Sequence, residues 1–178
     1  DPMTAPTANS RFVSDGAIGI DISNLDSAAK YDVGETHTGR NGSEFVYANS
    51  TGALNQGAMV GINAGGTMTA LTGTALIAAS NTVSIRFAFV QTAFASSQFG
   101  FVAVRGGKVL IRFLGAGGQG VPLYTTDTAG ALSASSASAS QFQIFGVSLE
   151  SSVSASGSTA SVVTANVSFP IARFPKIG

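Results

Sequence analysis

Apolar side chains in this chain recur at every second residue in short runs, and glycine-rich turns separate the runs. A spacing of two puts alternate side chains on one face of a β-strand, whereas a helix requires a spacing of three to four. Strands are predicted at 43–48, 58–63, 67–72, 83–89, 99–105, 108–114, 141–150 and 160–174. No run keeps a helical period. The sequence therefore predicts an all-β chain that forms a single β-sandwich or barrel-like domain.

The first 40 residues carry few strand signals and are predicted to form an extended N-terminal arm, followed by the β domain at 41–178. Apolar residues in this segment are candidate contacts with a neighbouring subunit: Phe12, Ile18, Ile20 and Ile22. The last three alternate with Gly19 and Asp21, as in a strand that adds to the sheet edge of another subunit. The alternative is that they form the first strand of this domain's own sheet.

Charge is sparse and unevenly distributed. Nine basic and nine acidic residues cancel, and only 10% of the chain is charged. Residues 1–50 carry a net charge of −4 and residues 51–178 carry +4. Small residues (Ala, Gly, Ser and Thr) make up 88 of the 178 positions. A surface with so few charges is poorly protected against association. The charge asymmetry suggests that the acidic segment lies on a basic surface, of this chain or of a neighbour. The alternative is that both sets of charges are solvated.

The same composition excludes several classes of protein. A disordered chain carries more charge and less apolar surface, and a general nucleic-acid binder is basic. The absence of cysteine excludes disulfides and zinc–thiolate sites. The uncharged stretch from Phe45 to Ile85 is interrupted throughout by polar residues, so no membrane-spanning segment is expected. Residues 1–10 have no cationic start or apolar centre, so no signal peptide is expected either.

The strongest hairpin signal is Gly106-Gly107 between two apolar strands. In that register Val104 faces Val109 on a core side, and Phe101 faces Arg112 on the other, as a cation–π pair. Arg105 faces Lys108, a repulsive pair that nearby carboxylates would relieve. The second side is predicted to be a contact surface formed by Phe99, Phe101, Arg105, Lys108 and Arg112. The alternative is a solvent-exposed face.

Motifs for catalysis occur only in isolation, so no enzyme, cofactor or metal site is predicted. The glycine run at 115–120 has the GxGxxG spacing, but an extended segment rather than a helix follows it. Ser27-x-x-Lys30 matches a serine hydrolase spacing without the companion motifs. The single histidine, His37, lies in a polar run and is expected in a solvated loop; with Asp32 and Glu35 it forms only a weak metal-ligand pattern. The small-residue segments 133–140 and 151–161 are expected to be loops.

Three segments, in order, resemble small head proteins of tailed bacteriophages: GRNGSEFVYA at 39–48 with its continuation to residue 60, QFGFVAVRG at 98–106, and VPLYTTDTAGAL at 121–132. The likeness spans roughly residues 34–170, and Phe101 stands where the family often has tryptophan. This family includes decoration or cement proteins that coat the capsid lattice. The resemblance implies a β-rich fold, no catalysis and binding to the major capsid protein.

The expected function is therefore that of a capsid decoration or cement protein on the outer surface of the virion. A homotrimer is the preferred oligomer, with a dimer second, and neither nucleic acid nor membrane is an expected partner. Alternatives are another virion component, such as a head-fibre base or a tail protein, or a surface lectin or adhesin module. The lectin reading ranks lower because the chain has no tryptophan and only three tyrosines.

Overall fold

β-Strands form the regular structure of the computed structural model, which describes residues 12–14, 19–39, 42–74, 85–135, 141–154 and 159–173. The strands are β1 (Phe12–Ser14), β2 (Gly19–Asp21), β3 (Thr36–Thr38), β4 (Glu44–Ser50), β5 (Met59–Ile62), β6 (Thr67–Ala70), β7 (Arg86–Val90), β8 (Phe99–Leu114), β9 (Leu123–Thr125), β10 (Ala131–Ser133), β11 (Gln143–Leu149) and β12 (Ser161–Arg173). β1 and β2 form an antiparallel ribbon, and the other ten strands form one sheet. The predicted all-β class is confirmed.

The long strand β8 belongs to two closed circuits of paired strands. Its first half lies between β4 and β7, and β6 and β5 complete that circuit. Its second half lies between β10 and β12, and β9 and β11 complete the other circuit. The sheet therefore folds around β8 as two adjoining rings of strands rather than as one barrel.

Alternation along these strands produces two apolar clusters. One cluster collects alternate residues of the first circuit, including Val46, Ala48, Val60, Ile62, Met68, Ala88, Val90, Val102 and Val104. The other continues from the opposite face of β4 and β8 into the second circuit, and includes Phe45, Tyr47, Phe101, Ile111, Phe113, Leu123, Leu132, Ile144 and Leu149. Successive residues of β8 thus enter different clusters, so residues 101–104 are buried on both faces of the sheet.

Most of the predicted strands are present. β5 and β6 pair as the expected antiparallel hairpin, with Val60 opposite Ala70 and Ile62 opposite Met68. β11 and β12 occupy the segments predicted at 141–150 and 160–174. The chain after the glycine run at 115–120 is extended, since β9 begins at Leu123. The described parts of the two small-residue segments lie outside strands, apart from Ser133 at the end of β10 and Ser161 at the start of β12; residues 136–140 and 155–158 lie outside the described residues.

The hairpin predicted around Gly106-Gly107 is wrong. β8 runs through these glycines as one 16-residue strand, and β12 pairs with it on both sides of them, from Ser161 opposite Phe113 to Ser168 opposite Arg105. The register between β8 and β12 shifts here through a bulge, so the glycines lie within the strand instead of forming a turn. Gly106 has φ 147° and Lys108 has φ 55°. Pairing of β8 with β12 is favoured over a local turn because it gives hydrogen-bond partners to more backbone N–H and C=O groups of this largely buried strand. The predicted pairings Phe101–Arg112 and Arg105–Lys108 therefore do not form across a hairpin.

The N-terminal segment belongs to this domain from Ile22 onward. Ile22 is only 2% exposed and lies in the larger cluster, and β3 pairs with β4 at the edge of the main sheet. Asp26 and Phe99 exchange two backbone hydrogen bonds of 2.9 and 2.8 Å. The alternative, a first strand of the domain's own sheet, does not form here either, because β2 pairs with β1 outside the main sheet. Between residues 22 and 39, Ile22, Asp26 and His37 are buried against the domain and most of the other residues are exposed. Ile18 lies outside the described residues, and the arm remains a prediction only for the start of the chain.

Candidate interaction surface

A cluster of aromatic rings lies beneath the N-terminal segment. Tyr47 and Phe101 pack 5.0 Å apart between ring centroids, and Tyr31 lies over both at 5.2 and 5.4 Å. The Tyr47 hydroxyl donates to Oδ2 of Asp26 at 3.0 Å, and Nζ of Lys30 lies 2.5 Å from Oδ1 of the same carboxylate. These contacts between apolar rings and one nearly buried carboxylate hold residues 26–31 against the sheet.

His37 belongs to this cluster, so the expectation of a solvated loop histidine is wrong. The residue lies on β3, is 8% exposed, and packs its ring edge-on against Phe101 at 5.1 Å. Its Nε2 is 3.0 Å from Oε1 of Glu35, but the angles are not those of a hydrogen bond, and this buried atom has no hydrogen-bond partner. On β3 the residues Thr36 and Thr38 point to solvent and His37 points inward, but all three are polar, so the sequence does not show this alternation. Within the described ranges, no three metal-ligating side chains come together.

The Tyr47 phenol gives the protein a testable alkaline sensitivity. Burial raises the pKa of Tyr47 above its usual value of 10.0. A pKa that is raised in the folded state contributes stability that is complete below the unfolded pKa and is lost as pH rises through the folded pKa. We therefore expect the melting temperature of the wild type to fall more steeply above about pH 10 than that of Tyr47→Phe.

The measurement is a series of thermal melts of both proteins between about pH 8 and pH 12. Tyr124→Phe is the matched control, because it removes a phenol from a half-buried position on β9. Parallel declines of the wild type and Tyr47→Phe would show that the Tyr47 phenol does not titrate differently in the folded protein.

The structure separates the residues that the sequence grouped as a contact surface. Ile22 and Phe101 are each 2% exposed and belong to the core, and Phe99 is half-buried beside them. Phe12 and Ile20 lie on the paired strands β1 and β2, where only their backbone positions are described. Phe101 is unavailable to a partner because both faces of this end of β8 are covered, and Ile22 because it packs into the larger cluster.

The three cations of the predicted surface remain accessible, and their contacts differ. Arg105 is 48% exposed, and its Nη1 lies 3.3 Å from Oε1 of Glu44, which confirms the carboxylate expected beside it. For Lys108 the contact with a carboxylate among the described residues is through the backbone, whose N–H donates to Oε1 of Glu150 at 2.8 Å. Arg112 donates to the carbonyl oxygen of Ala129 at 3.2 Å. The Arg105–Glu44 pair joins the acidic N-terminal part of the chain to the basic remainder.

Large apolar side chains are exposed on a different pair of strands, β11 and β12. Phe145 is 40% exposed, Phe169 45% and Ile171 52%. Phe145 and Ile171 are directly opposite each other, and along β12 the exposed residues Phe169, Ile171 and Arg173 alternate with the inward Pro170 and Ala172. These side chains therefore share one outer face of the sheet.

Arginine side chains cover part of two of these rings. The guanidinium carbon of Arg173 lies 5.2 Å from the centroid of the Phe145 ring, and that of Arg105 lies 5.7 Å from the Phe169 ring. Both distances are within the range of a cation–π interaction. We define the β11–β12 patch as Phe145, Phe169 and Ile171 together with Arg105 and Arg173.

A bulge in β12 produces this arrangement. Residues 168–170 lie opposite the single residue Gly146, and Phe169 adopts the left-handed conformation at φ 48°. Gly146 has φ 77°, and a Cβ there would lie 2.4 Å from the carbonyl oxygen of Ser168. The bulge shifts the alternation of β12 by one residue, so that Ser168 and Phe169 are both exposed.

Sequence reasoning missed this patch, although a signal for it exists. Proline cannot donate to a ladder, so Pro170 favours the edge of a sheet or the point where a strand leaves it. In the structure, β12 leaves β8 after Ser168 and pairs only with β11 from there. The alternation of Phe169, Ile171 and Arg173 around this proline marks an exposed strand end, but which face is exposed depends on the bulge.

Comparison with known proteins adds no relative: the chain matches no protein-family model and no curated protein. Of the residues that the structure describes, none form a helix that is long and apolar enough to cross a membrane.

Proposed function

We propose that this protein is a structural component of a bacteriophage virion, a capsid decoration or cement protein that binds the major capsid protein on the outer surface of the shell. The observation that carries the proposal is the β11–β12 patch, three exposed apolar side chains accompanied by two arginines on a rigid sheet. Aromatic and arginine side chains are enriched in the contact sites between proteins. The resemblance of the segments at 39–60, 98–106 and 121–132 to phage head proteins points to the capsid as the partner.

The composition suits this role physically. Small side chains lose little rotamer entropy when they are ordered in a contact, so a coat protein rich in them binds at low entropic cost. A lattice presents the same site many times, and an oligomer that engages several sites converts weak contacts into firm attachment. We propose a homotrimer as the binding form. In this role the protein catalyses no reaction and stabilises the shell against internal pressure.

The test is reconstitution on capsids assembled from the major capsid protein that is encoded in the same genome. Purified protein is added to shells that lack it, and bound protein is measured by co-sedimentation. We expect saturable binding and a higher temperature of shell disruption. Failure to bind, binding without a gain in heat resistance, or a gene located away from capsid and portal genes would contradict the proposal.

A further inference from the structure

We infer that Phe169 is the anchor with which the β11–β12 patch binds the major capsid protein, at a segment that presents a carboxylate beside an apolar side chain. This inference rests on the proposed function and assigns the contact to one residue, one conformation and one partner chemistry.

The backbone of Phe169 is in the left-handed region, which is unfavourable for a bulky residue, and the side chain is not buried deeply enough to offset that cost. A bulky residue in the left-handed region is an outlier, because its Cβ crowds the backbone; Gly and Asn adopt this region far more readily. The ring is nevertheless 45% exposed, so it gains only part of the stabilisation that burial gives an aromatic side chain. A strained residue at an exposed position points to a role in binding rather than in folding.

The charges around the patch define the chemistry of the partner. Arg173 is exposed and lies over Phe145, and within the described part of the chain no carboxylate lies within ion-pair distance of it. Arg105 already has Glu44 as its partner. An arginine that stacks on an aromatic ring still has donors free for a carboxylate, in a geometry that lysine does not reproduce. The complementary surface therefore combines an acidic group with an apolar one.

A second copy of this chain fits the patch less well than the capsid protein does. Aromatic side chains carry about 150–250 Å² each, so at 40–45% exposure Phe145 and Phe169 each offer on the order of 80 Å². A stable pair of proteins needs about 800 Å² from each partner. The patch alone is thus too small to hold two copies together, and it suits a contact that the capsid lattice repeats.

The test compares Phe169→Asn with wild type in capsid co-sedimentation and in thermal melts. Asparagine tolerates the left-handed conformation, so the melting temperature is expected to equal or exceed that of the wild type. Capsid affinity is expected to fall at least about tenfold, as for an aromatic residue at the centre of a contact. A residue that serves only the fold would show the opposite pattern, with a lower melting temperature and unchanged binding.

Two further variants keep the test decisive. Val162→Asn is the matched control, because Val162 is also 45% exposed on β12 but lies at the other end of the strand, opposite Arg112. It is expected to bind capsids like the wild type. Arg173→Glu reverses the charge without altering Phe169, and its affinity for capsids is expected to fall at least about tenfold. Arg173→Lys keeps the positive charge but not the planar guanidinium, so its affinity is expected to lie between those of Arg173→Glu and the wild type.

Each outcome has a distinct meaning. If the wild type binds capsids and both Phe169→Asn and Arg173→Glu bind equally well, the inference is overturned and the proposed function stands. If the wild type does not bind capsids, the proposed function fails and the inference fails with it. A melting temperature of Phe169→Asn well below that of the wild type overturns the strain argument. If Phe169→Asn instead dissociates an oligomer in mass measurements while capsid binding per subunit persists, a second copy is the occupant, and the assignment to the capsid protein is wrong.

Discussion

Phe101→Ala is expected to lower the free energy of unfolding by about 3–5 kcal/mol, the cost of removing a large side chain from a packed core. Phe101 is 2% exposed and touches the rings of Tyr31, His37 and Tyr47. The sheet backbone around it is paired on both sides, so the surroundings cannot collapse to fill the cavity. The variant should therefore unfold at much lower urea concentration, which circular dichroism measures.

Phe145→Ala is the matched control, because it makes the same chemical change where the ring is 40% exposed. Its effect on the free energy of unfolding should be below about 1 kcal/mol, as expected for a surface substitution. The two variants thus test whether the aromatic contribution to stability comes from Phe101 and not from the patch. Equal stabilities of Phe101→Ala and the wild type would contradict the burial of Phe101 in the core.

Removal of residues 1–30 is expected to abolish cooperative folding of the isolated protein. The deletion takes away Ile22, which is 2% exposed, and Asp26, which bonds to the backbone of Phe99 and to the hydroxyl of Tyr47. Loss of a buried isoleucine alone costs about 2–5 kcal/mol, and uncovering the aromatic rings adds to that cost. The total reaches the 5–15 kcal/mol by which a whole domain is stable.

Removal of residues 1–18 is the control for this truncation. The described hydrogen bonds from the N-terminal segment to the main sheet all start at Asp26 or later. The shorter truncation is therefore expected to keep a cooperative thermal transition, while the longer one shows none. If the protein without residues 1–30 melts like the wild type, residues 22–30 do not belong to its core, and the arm interpretation extends to them.

These expectations divide the aromatic residues of the chain by role. Phe101 and Tyr47 stabilise the fold, since their rings are buried under the N-terminal segment. Phe145 and Phe169 are exposed beside arginines and are assigned to binding. The sequence suggested the combination of phenylalanine and arginine as the chemistry of contact, but placed it on β8, where the phenylalanine is in the core.

Local sequence determined most of the longer strands of this protein and much of its apolar pattern, but not the short strands β3 and β10. Alternation at a spacing of two is set by backbone geometry, so β4, β5, β6, β11 and β12 were predictable from the side chains alone. A carboxylate beside Arg105 was expected from repulsion by Lys108 across a hairpin, and Glu44 is that carboxylate although the hairpin does not form. Nothing comparable marked His37, whose polar neighbours in sequence gave no indication of its burial.

Only the tertiary structure decided how the strands pair and which faces are covered. Gly106-Gly107 is a favourable hairpin turn locally, but β12, about 60 residues farther along the chain, pairs on both sides of it and keeps β8 one continuous strand. The N-terminal segment covers one face of β4 and β8, so Phe101 and Ile22 are buried although their own alternation is equally consistent with exposure. At the other end, a bulge opposite Gly146 turns Phe169 outward. Each of these outcomes depends on backbone hydrogen bonds between residues far apart in sequence, and side-chain periodicity carries no information about them.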